Sequence, residues 1–206
     1  GIGGHAREVA QLVADIEVHQ PGTWALQGFL VDKDATTKHP KTLPAPLLGG
    51  LEWWAAQSDV WVVVAVGNPK LRRQIAERML AAKPRTQFAT LVHPMAWAVK
   101  TAQVGEGSVV FAKTCLSDQV LIGKHASINL ACTLSHDTVL GDFVSLGPGV
   151  NLCGGVTVAS HCELGAGATV LPNVQIHSGV MVGAGAVVTR SLAAGVTAVG
   201  VPARAK

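Results

Sequence analysis

Aliphatic side chains recur at every sixth position through the C-terminal half of the chain, with no insertion to break the count. The series runs from Val104 to Val188, and a small or β-branched residue lies four places after each member but the last, from Ser108 to Ala186. A period of six fits neither an α-helix nor an isolated strand, but it is typical of a hexapeptide β-helix. Three hexapeptides then close one triangular coil of 18 residues, and the aliphatic residues stack into a buried column. The pattern predicts an all-β left-handed parallel β-helix, in which residues 18 apart lie one above the other.

The first third of the chain lacks this register and has the alternating pattern of an α/β domain. Helical patterns and strand-like apolar runs follow one another, with a proline-rich loop over residues 39–50: helix 7–14, strand 24–31, helix 51–57, strand 60–66, helix 69–82 and strand 87–92. This order predicts a parallel sheet with crossover helices. We expect a Rossmann-like domain over residues 1–92, followed by the β-helix domain and a C-terminal tail over residues 93–206.

The chain opens with the glycine-rich turn Gly1-Ile2-Gly3-Gly4-His5-Ala6. A turn of this kind places bare backbone N–H groups and a helix N-terminus beside a bound phosphate. Asp32 and Gly67-Asn68 end later strands at the same edge of the sheet, where ligands bind. These features indicate a nucleotide-type ligand. The alternative is that these glycines only allow the helix to pack closely against the strand. We also expect the intact protein to have a strand before the opening turn.

The bulk composition narrows the classes of function. Apolar residues make up 49% of the chain and charged residues 14%, which suits a densely buried solenoid in an oligomer. The net charge of +3 is too small to indicate nucleic-acid binding. No apolar run approaches the roughly 20 residues that span a bilayer, and we see no signal peptide. The four cysteines form no CxxC pair, so we expect structural thiols in a reducing cytoplasm.

Among the eight histidines, His136 is the candidate for catalysis. It lies in the middle of the predicted prism, in Ser135-His136-Asp137, and a count of 18 from it reaches Gly154 in the next coil. Histidine accepts protons near neutral pH, and the adjacent carboxylate can orient the imidazole. A glycine leaves its backbone N–H open to a substrate carbonyl. A base beside such a donor is what acyl transfer requires. The alternative interpretation is that His136 is only a polar side chain on a solvated face.

Five motifs together resemble one family. They are Gly-Gly-His-Ala at 3–6, Gly-Phe-Leu-Val-Asp at 28–32, Val-Gly-Asn at 66–68, Ser-His-Asp at 135–137 and Gly-Val-Pro-Ala at 200–203. The chain resembles the hexapeptide-repeat sugar acetyltransferases over nearly its whole length. This family includes nucleotide-linked 4-amino-sugar N-acetyltransferases of the bacillosamine and perosamine type, and sialic-acid O-acetyltransferases of similar layout.

The resemblance implies a homotrimer with active sites between neighbouring prisms, acetyl-CoA as co-substrate and no metal. It implies that His136 is the general base, that Asp137 is its partner where the family more often has Glu, and that the Gly154 amide meets the thioester carbonyl. The implied substrate contacts are Asn129 near the acceptor, and Gly3, Gly4, His5, Asp32, Lys33 and Asn68 on the nucleotide sugar. The implied coenzyme contacts are Gly154, Ser145, Ala166 and Ala184. Ser145 stands where some members carry a second histidine.

We therefore expect an acetyl-CoA-dependent N-acetyltransferase that acts on the amino group of a nucleotide-linked sugar, in the synthesis of a surface polysaccharide or glycan precursor. O-acetylation of a sugar hydroxyl, as in sialic acid, would use the same fold and base. A non-catalytic nucleotide-binding scaffold would leave Ser135-His136-Asp137 unused. A metal-dependent hydratase of the carbonic-anhydrase type shares the prism but commonly needs a histidine pair five residues apart, and no two histidines here have that spacing. A dehydrogenase would leave the prism without a role.

Overall fold

The N-terminal domain alternates helices with short parallel strands. The computed structural model describes residues 1–31 and 42–206. The elements of this domain are α1 (Gly4–His19), β1 (Phe29–Leu30), β2 (Leu47–Gly49), α2 (Leu51–Ala55), β3 (Trp61–Val62), α3 (Pro69–Ala82) and β4 (Gln87–Phe88). β1 pairs in parallel with β2, and β3 pairs in parallel with β4. The α/β class predicted for this third of the chain is confirmed.

The helix predicted over residues 7–14 extends over Gly4–His19, and the strands predicted over 24–31 and 60–66 are shorter, at Phe29–Leu30 and Trp61–Val62. Two further differences have a structural cause. β2 lies inside the expected loop, because the chain after Pro46 turns back beside β1, and Phe29 N–H donates to Pro46 O at 2.8 Å. The single strand expected over residues 87–92 is divided between two sheets. Ala89 N–H donates to Val62 O of β3, whereas Leu91 N–H donates to Ser108 O of the prism. The prism sheets thus begin at Leu91, two residues before the expected domain boundary.

Three sheets form the faces of a triangular prism, and successive strands of the chain pass from sheet I to sheet II to sheet III. Sheet I contains Leu91–Val92, Val109–Val110, Ser127–Ile128, Ser145–Leu146, Glu163–Leu164, Met181–Val182, Thr197–Val199 and Arg204–Ala205. Sheet II contains Trp97–Ala98, Cys115–Leu116, Thr133–Leu134, Asn151–Leu152, Thr169–Val170 and Val187–Val188. Sheet III contains Gln103–Val104, Leu121–Ile122, Val139–Leu140, Thr157–Val158 and Gln175–Ile176. Only the last strand of sheet I pairs antiparallel among the described prism strands.

The register of the sheets confirms the six-residue interpretation. Residues 18 apart pair across neighbouring coils, as Ser127 does with Ser145. The second residue of each strand from Val109–Val110 to Val187–Val188 points inward and is buried, so Leu134 and Leu152 are each 1% exposed. The small residues four places later are buried at the corners, and Val144 and Val156 are 0% exposed. Burial of this column drives the stacking of the coils, because one coil alone could not remove its aliphatic face from water.

A left-handed residue makes each turn between the faces. Every sixth residue from Gly107 to Gly185 has a φ between 53° and 74°. Eight of these fourteen residues are not glycine, among them Asp137 and Phe143, although the left-handed region costs an L-residue about 1–2 kcal/mol. The glycines that follow the aliphatic residues have another purpose. A Cβ on Gly105 would stand 2.6 Å from the backbone of the next coil, so these glycines allow close packing of the coils.

The N-terminal domain packs on sheet I. The apolar face of α1 packs against the first strands of that sheet, through Val9, Leu12, Ile16, Leu91, Val109 and Phe111. Asp15 and His93 add a contact of 3.0 Å between the carboxylate and Nε2. The two domains therefore share an apolar interface at α1 with a polar contact at its edge. Phe143 of the prism also packs against a second apolar cluster, which includes Ala76 and Met79 of α3.

Two general expectations concern the cysteines and the membrane. All four cysteines are unpaired. Burial raises the pKa of the Cys132 thiol to about 11, so this side chain packs as a small apolar residue. None of the described helices has the length and apolar character needed to cross a membrane.

Candidate active site

His136 and Asp137 lie at the corner where the chain passes from sheet II to sheet III. The φ of Asp137 is 60°, and this left-handed turn brings its carboxylate to the preceding imidazole. His136 Nδ1 and Asp137 Oδ2 are 2.7 Å apart. The carboxylate can only accept, so the bond assigns the proton to Nδ1 and leaves a lone pair on Nε2. The two side chains are 66% and 64% exposed, which leaves them open to a substrate.

Gly154 lies directly against the other side of this imidazole. A Cβ placed on Gly154 would stand 2.5 Å from His136 Nε2, so a side chain at this position would displace the ring. The coils are joined here by Gly155 N–H, which donates to His136 O at 2.9 Å. Gly154 N–H donates to no acceptor within residues 1–31 and 42–206. A free backbone donor thus lies beside a base whose tautomer is fixed by a carboxylate, as acyl transfer requires.

A second group of candidate residues lines a cleft between the N-terminal domain and sheet I. The cleft has a volume of about 320 Å³ and contains four of the residues proposed from sequence, His5, Asn129, Ser145 and Ala166. α1 supplies His5 from its first turn, and the turn after β3 supplies Gly67. The prism residues that line the cleft come from three successive coils, so the cleft follows the corner between sheets I and II.

His5 joins the opening turn to the prism. Its Nε2 lies 3.3 Å from Ser127 Oγ, and its Nδ1 lies 3.5 Å from a Glu8 carboxylate oxygen. Burial lowers the pKa of His5, while the hydrogen bond and the charge of Glu8 oppose the shift. Burial thus favours the neutral imidazole, which can donate one hydrogen bond and accept another.

The other residues proposed for binding lie around the cleft or outside the described part of the chain. Gly3 and Gly4 precede His5, and a Cβ on either would meet no atom within 4 Å, so their backbone faces open space. Asn68 caps α3, and its Oδ1 accepts from Leu71 N–H at 3.0 Å. Ala184 follows Ala166 one coil along the same corner. Asp32 and Lys33 lie outside the described residues.

Within one chain, the His136 corner and the residues that line the cleft lie apart. Asn129 precedes the strand Thr133–Leu134, whereas His136 follows it. The cleft therefore borders one edge of sheet II and the His136 corner borders the other edge. The described lining of the cleft includes neither His136 nor Gly154.

Arg72 is a residue of this region that sequence reasoning missed. Its side chain is buried between α3 and the prism and donates to Ser145 Oγ at 2.9 Å. Burial lowers its pKa to about 10, so it remains charged at neutral pH. The signal was present in the sequence, because Arg72 shares the buried face of α3 with Pro69, Ala76 and Met79. A charged residue on an apolar helix face indicates a buried partner.

The described residues hold no cluster of three or more His, Cys, Asp or Glu side chains that could bind a metal ion. His125 and His161, two coils apart, lie in one column with Phe143 between their rings. The ring centroids are 4.9 Å apart between His125 and Phe143, and 5.5 Å apart between Phe143 and His161. The two histidines stack along the prism, whereas the three histidine ligands of a hydratase would converge on one metal ion.

Comparison with known proteins places this geometry in a family. The PglD N-terminal domain model matches residues 1–79, and the bacterial transferase hexapeptide model (six repeats) matches residues 137–172 and 160–190. The acetyltransferase domain of PglB from Neisseria gonorrhoeae FA1090 is 32% identical, with a TM-score of 0.88 over 100% of this chain and 97% of that chain. The chain belongs to the hexapeptide-repeat sugar acetyltransferases.

Other members of the family have been solved with ligands. The same PglB domain in complex with acetyl coenzyme A is 33% identical, with a TM-score of 0.88 over 100% of this chain and 96% of that chain. A mutant of perosamine N-acetyltransferase from Caulobacter crescentus, in complex with CoA and GDP-perosamine, is 31% identical, with a TM-score of 0.85 over 100% and 94% of the two chains.

A curated relative is the UDP-N-acetylbacillosamine N-acetyltransferase of Bacillus subtilis (strain 168). It is 34% identical over 123 residues, which cover 54% of this chain and 49% of that protein. The match thus spans about half the length of this relative.

Proposed function

We propose that this member of the family transfers the acetyl group of acetyl-CoA to the amino group of a nucleotide-linked sugar. The observation that carries the proposal is the pairing of His136 with Asp137 beside the free Gly154 N–H. These groups supply a base and a donor for the developing oxyanion on opposite sides of one reacting carbonyl. The relatives described above support the choice of acetyl-CoA and of an amino-sugar acceptor.

The reaction follows from the placement of these groups. The neutral amine attacks the thioester carbonyl carbon, and His136 Nε2 accepts the proton that the nitrogen loses. The Asp137 carboxylate stabilises the imidazolium through Nδ1. Gly154 N–H stabilises the negative charge on the carbonyl oxygen. The C–S bond then breaks, and the departing thiolate takes the proton from the imidazolium, which releases CoA and leaves the N-acetyl sugar.

The substrate sites lie on the N-terminal side of the cleft and along the corner between sheets I and II. Gly3, Gly4 and His5 begin α1, whose N-terminus favours a phosphate. Asp32, Lys33 and Asn68 complete the proposed nucleotide-sugar contacts, with Asn129 near the acceptor. The coenzyme would contact Ser145, Ala166 and Ala184 of one chain and extend from there to Gly154 of a neighbouring chain in an oligomer. We place the enzyme in the cytoplasm, in accord with its four unpaired cysteines.

A homotrimer would complete the site. The cleft and His136 border opposite edges of sheet II, so a three-fold arrangement with sheet II facing the axis brings the cleft of one chain next to His136 of another. Exposed apolar side chains on this face and its corners support that choice: Trp97 is 58% exposed, Leu130 46% and Leu171 37%. Leu121 and Val139 are also exposed on sheet III, but a contact through that sheet would leave the two groups apart.

Thiol release from acetyl-CoA tests the function. The assay uses UDP-, GDP- and dTDP-linked amino sugars as acceptors, with free sialic acid as a hydroxyl acceptor. With the best amino sugar, we expect His136→Ala to lower kcat by about 100- to 10,000-fold, the usual contribution of a general base. His177→Ala is the matched control, because His177 is an exposed histidine near the far end of the prism, and it should keep wild-type kcat.

Three outcomes would contradict the proposal. Near-normal turnover by His136→Ala would exclude the assigned base. Thiol release with sialic acid alone would indicate an O-acetyltransferase. Tight binding of a nucleotide with no thiol release for any acceptor would indicate a non-catalytic scaffold.

A further inference from the structure

Arg72 is a buried cation that contacts both domains. It is 2% exposed, and its guanidinium bonds no carboxylate among the described residues. A buried guanidinium is costly unless its N–H groups are satisfied. Six oxygens accept from it: His125 O at 2.8 Å from Nε, Val66 O at 2.7 Å and Gly67 O at 2.9 Å from Nη1, and Phe143 O at 3.2 Å, Val144 O at 3.3 Å and Ser145 Oγ at 2.9 Å from Nη2.

These bonds join the two walls of the cleft. Gly67 belongs to the N-terminal wall and Ser145 to the prism wall, and both line the cleft. Arg72 donates to an oxygen of each. Ser145 Oγ also donates to Gly67 O at 2.9 Å, which closes a ring of three hydrogen bonds. The separation of the walls at this point is therefore set by one planar side chain, whose fork fixes the direction of each bond.

The attachment of the N-terminal domain does not depend on this ring. The apolar contact of α1 with Leu91, Val109 and Phe111 lies elsewhere on sheet I, and the Asp15–His93 contact is separate from α3. Loss of Arg72 should consequently leave the domains together while the turn at Gly67 becomes free to move.

We propose that Arg72 is a positioning residue that holds the Gly67 turn against Ser145, and so gives the cleft the width required by the nucleotide-linked acceptor. This inference rests on the proposed function for its kinetic consequence. Arg72 touches neither reacting group, and it acts through the backbone of the turn. Its loss should weaken binding of the acceptor more than it slows the chemistry at His136.

Arg72→Lys tests the proposal, because the ammonium keeps the charge but cannot reach the oxygens of both walls. We expect the KM for the amino-sugar nucleotide to rise at least about 10-fold, with the KM for acetyl-CoA and kcat changed by less than about threefold. Arg73→Met is the matched control. Arg73 is the next residue of the same helix, its side chain is 49% exposed, and it pairs with Glu77 at 2.7 Å. Both KM values should be unchanged in this control.

Hydrogen exchange supplies a readout that does not require activity. Amides of residues 66–68 should exchange faster in Arg72→Lys than in the wild type, while those of α1 keep their protection. Ser145→Ala removes one member of the ring without burying an unpaired charge. It should give a smaller rise in exchange at residues 66–68. This exchange alone carries the test if Arg72→Lys does not fold, because Ser145 is also a proposed coenzyme contact.

The proposal is overturned if exchange at residues 66–68 is unchanged in both variants, or if α1 of Arg72→Lys loses its protection and both KM values rise together, as in general destabilisation. If the wild-type protein releases no thiol with any acceptor, the proposed function fails. The exchange measurement still decides whether Arg72 holds the turn.

Discussion

Gly154 packs so closely against the imidazole that a side chain there would displace the ring. A Cβ at this position would lie 2.5 Å from Nε2 of His136, and real Cβ contacts are longer. Gly154→Ala therefore displaces the ring from the free N–H. We expect kcat to fall about 100-fold, as expected for a misplacement of about 1 Å, with binding of acetyl-CoA largely retained. Thiol-release kinetics and calorimetric titration with CoA measure the two effects.

Gly195→Ala is the control for this substitution. Gly195 has a φ of 73°, and a Cβ there would meet nothing within 4 Å. The variant therefore introduces left-handed strain of about 1 kcal/mol without a clash and should keep the wild-type kcat. A Gly154→Ala enzyme with normal kcat would show that the ring and the donor are not a functional pair.

His125 makes the stability of the protein depend on pH. Its ring is 4% exposed and stacks on Phe143 with 4.9 Å between centroids. Burial lowers the pKa of His125, and the charge of Glu106 opposes this shift. The unfolded chain therefore takes up the proton more readily. The stabilisation is present above the unfolded pKa of about 6.5 and is lost as the pH falls below it.

His125→Phe removes this proton uptake, and Phe143 shows that a phenyl ring is accepted at a left-handed corner of the same column. We expect Tm to fall less between about pH 7.5 and pH 5.5 than in the wild type, by differential scanning calorimetry. Some dependence of Tm on pH should remain, because burial also lowers the pKa values of His5 and His161. His177→Asn replaces an exposed histidine and should keep the wild-type dependence. Parallel curves for His125→Phe and the wild type would contradict the prediction.

At the scale of elements, the sequence predicted the contacts between coils that the six-residue register alone determines. The count of 18 placed Gly154 over His136, because the rise of one coil is fixed by its three short strands. It could not reveal that Arg72 bridges two domains, since that contact depends on how α3 packs on sheet I. Nor did it predict β2, which forms only because β1 lies beside Leu47–Gly49.

The strand Val139–Leu140 offers a test of how the prism is stabilised. Leu140 points inward and is 2% exposed, whereas Val139 points outward and is 37% exposed. We expect Leu140→Ala to lower the free energy of unfolding by about 2–5 kcal/mol, because it leaves a cavity in the column. Val139→Ala, in the same strand, should change it by less than about 1 kcal/mol. Urea unfolding at one protein concentration measures both. Equal losses would mean that the column does not carry the stability.

At the scale of the whole molecule, the proposed site needs two chains. His136 comes from the corner between sheets II and III, and Ala166 lines the cleft at the corner between sheets I and II. His136→Ala removes the base. Ala166→Trp fills the cleft from an exposed position, so the chain should still fold. Each variant alone should release less than about 1% of the thiol released by the wild type, given the usual contribution of a base and a blocked cleft.

The two variants should restore each other when they are co-expressed with different affinity tags and purified as mixed oligomers. A site between chains is intact when one chain supplies His136 and its neighbour supplies the open cleft. Every mixed trimer contains one such site among its three, so about one third of the sites recover. A chain that carries both substitutions, co-expressed with His136→Ala, should recover nothing, because no chain supplies the base. If the mixture of single variants also stays at the background rate, the active site lies within one chain and the trimeric arrangement about sheet II is wrong.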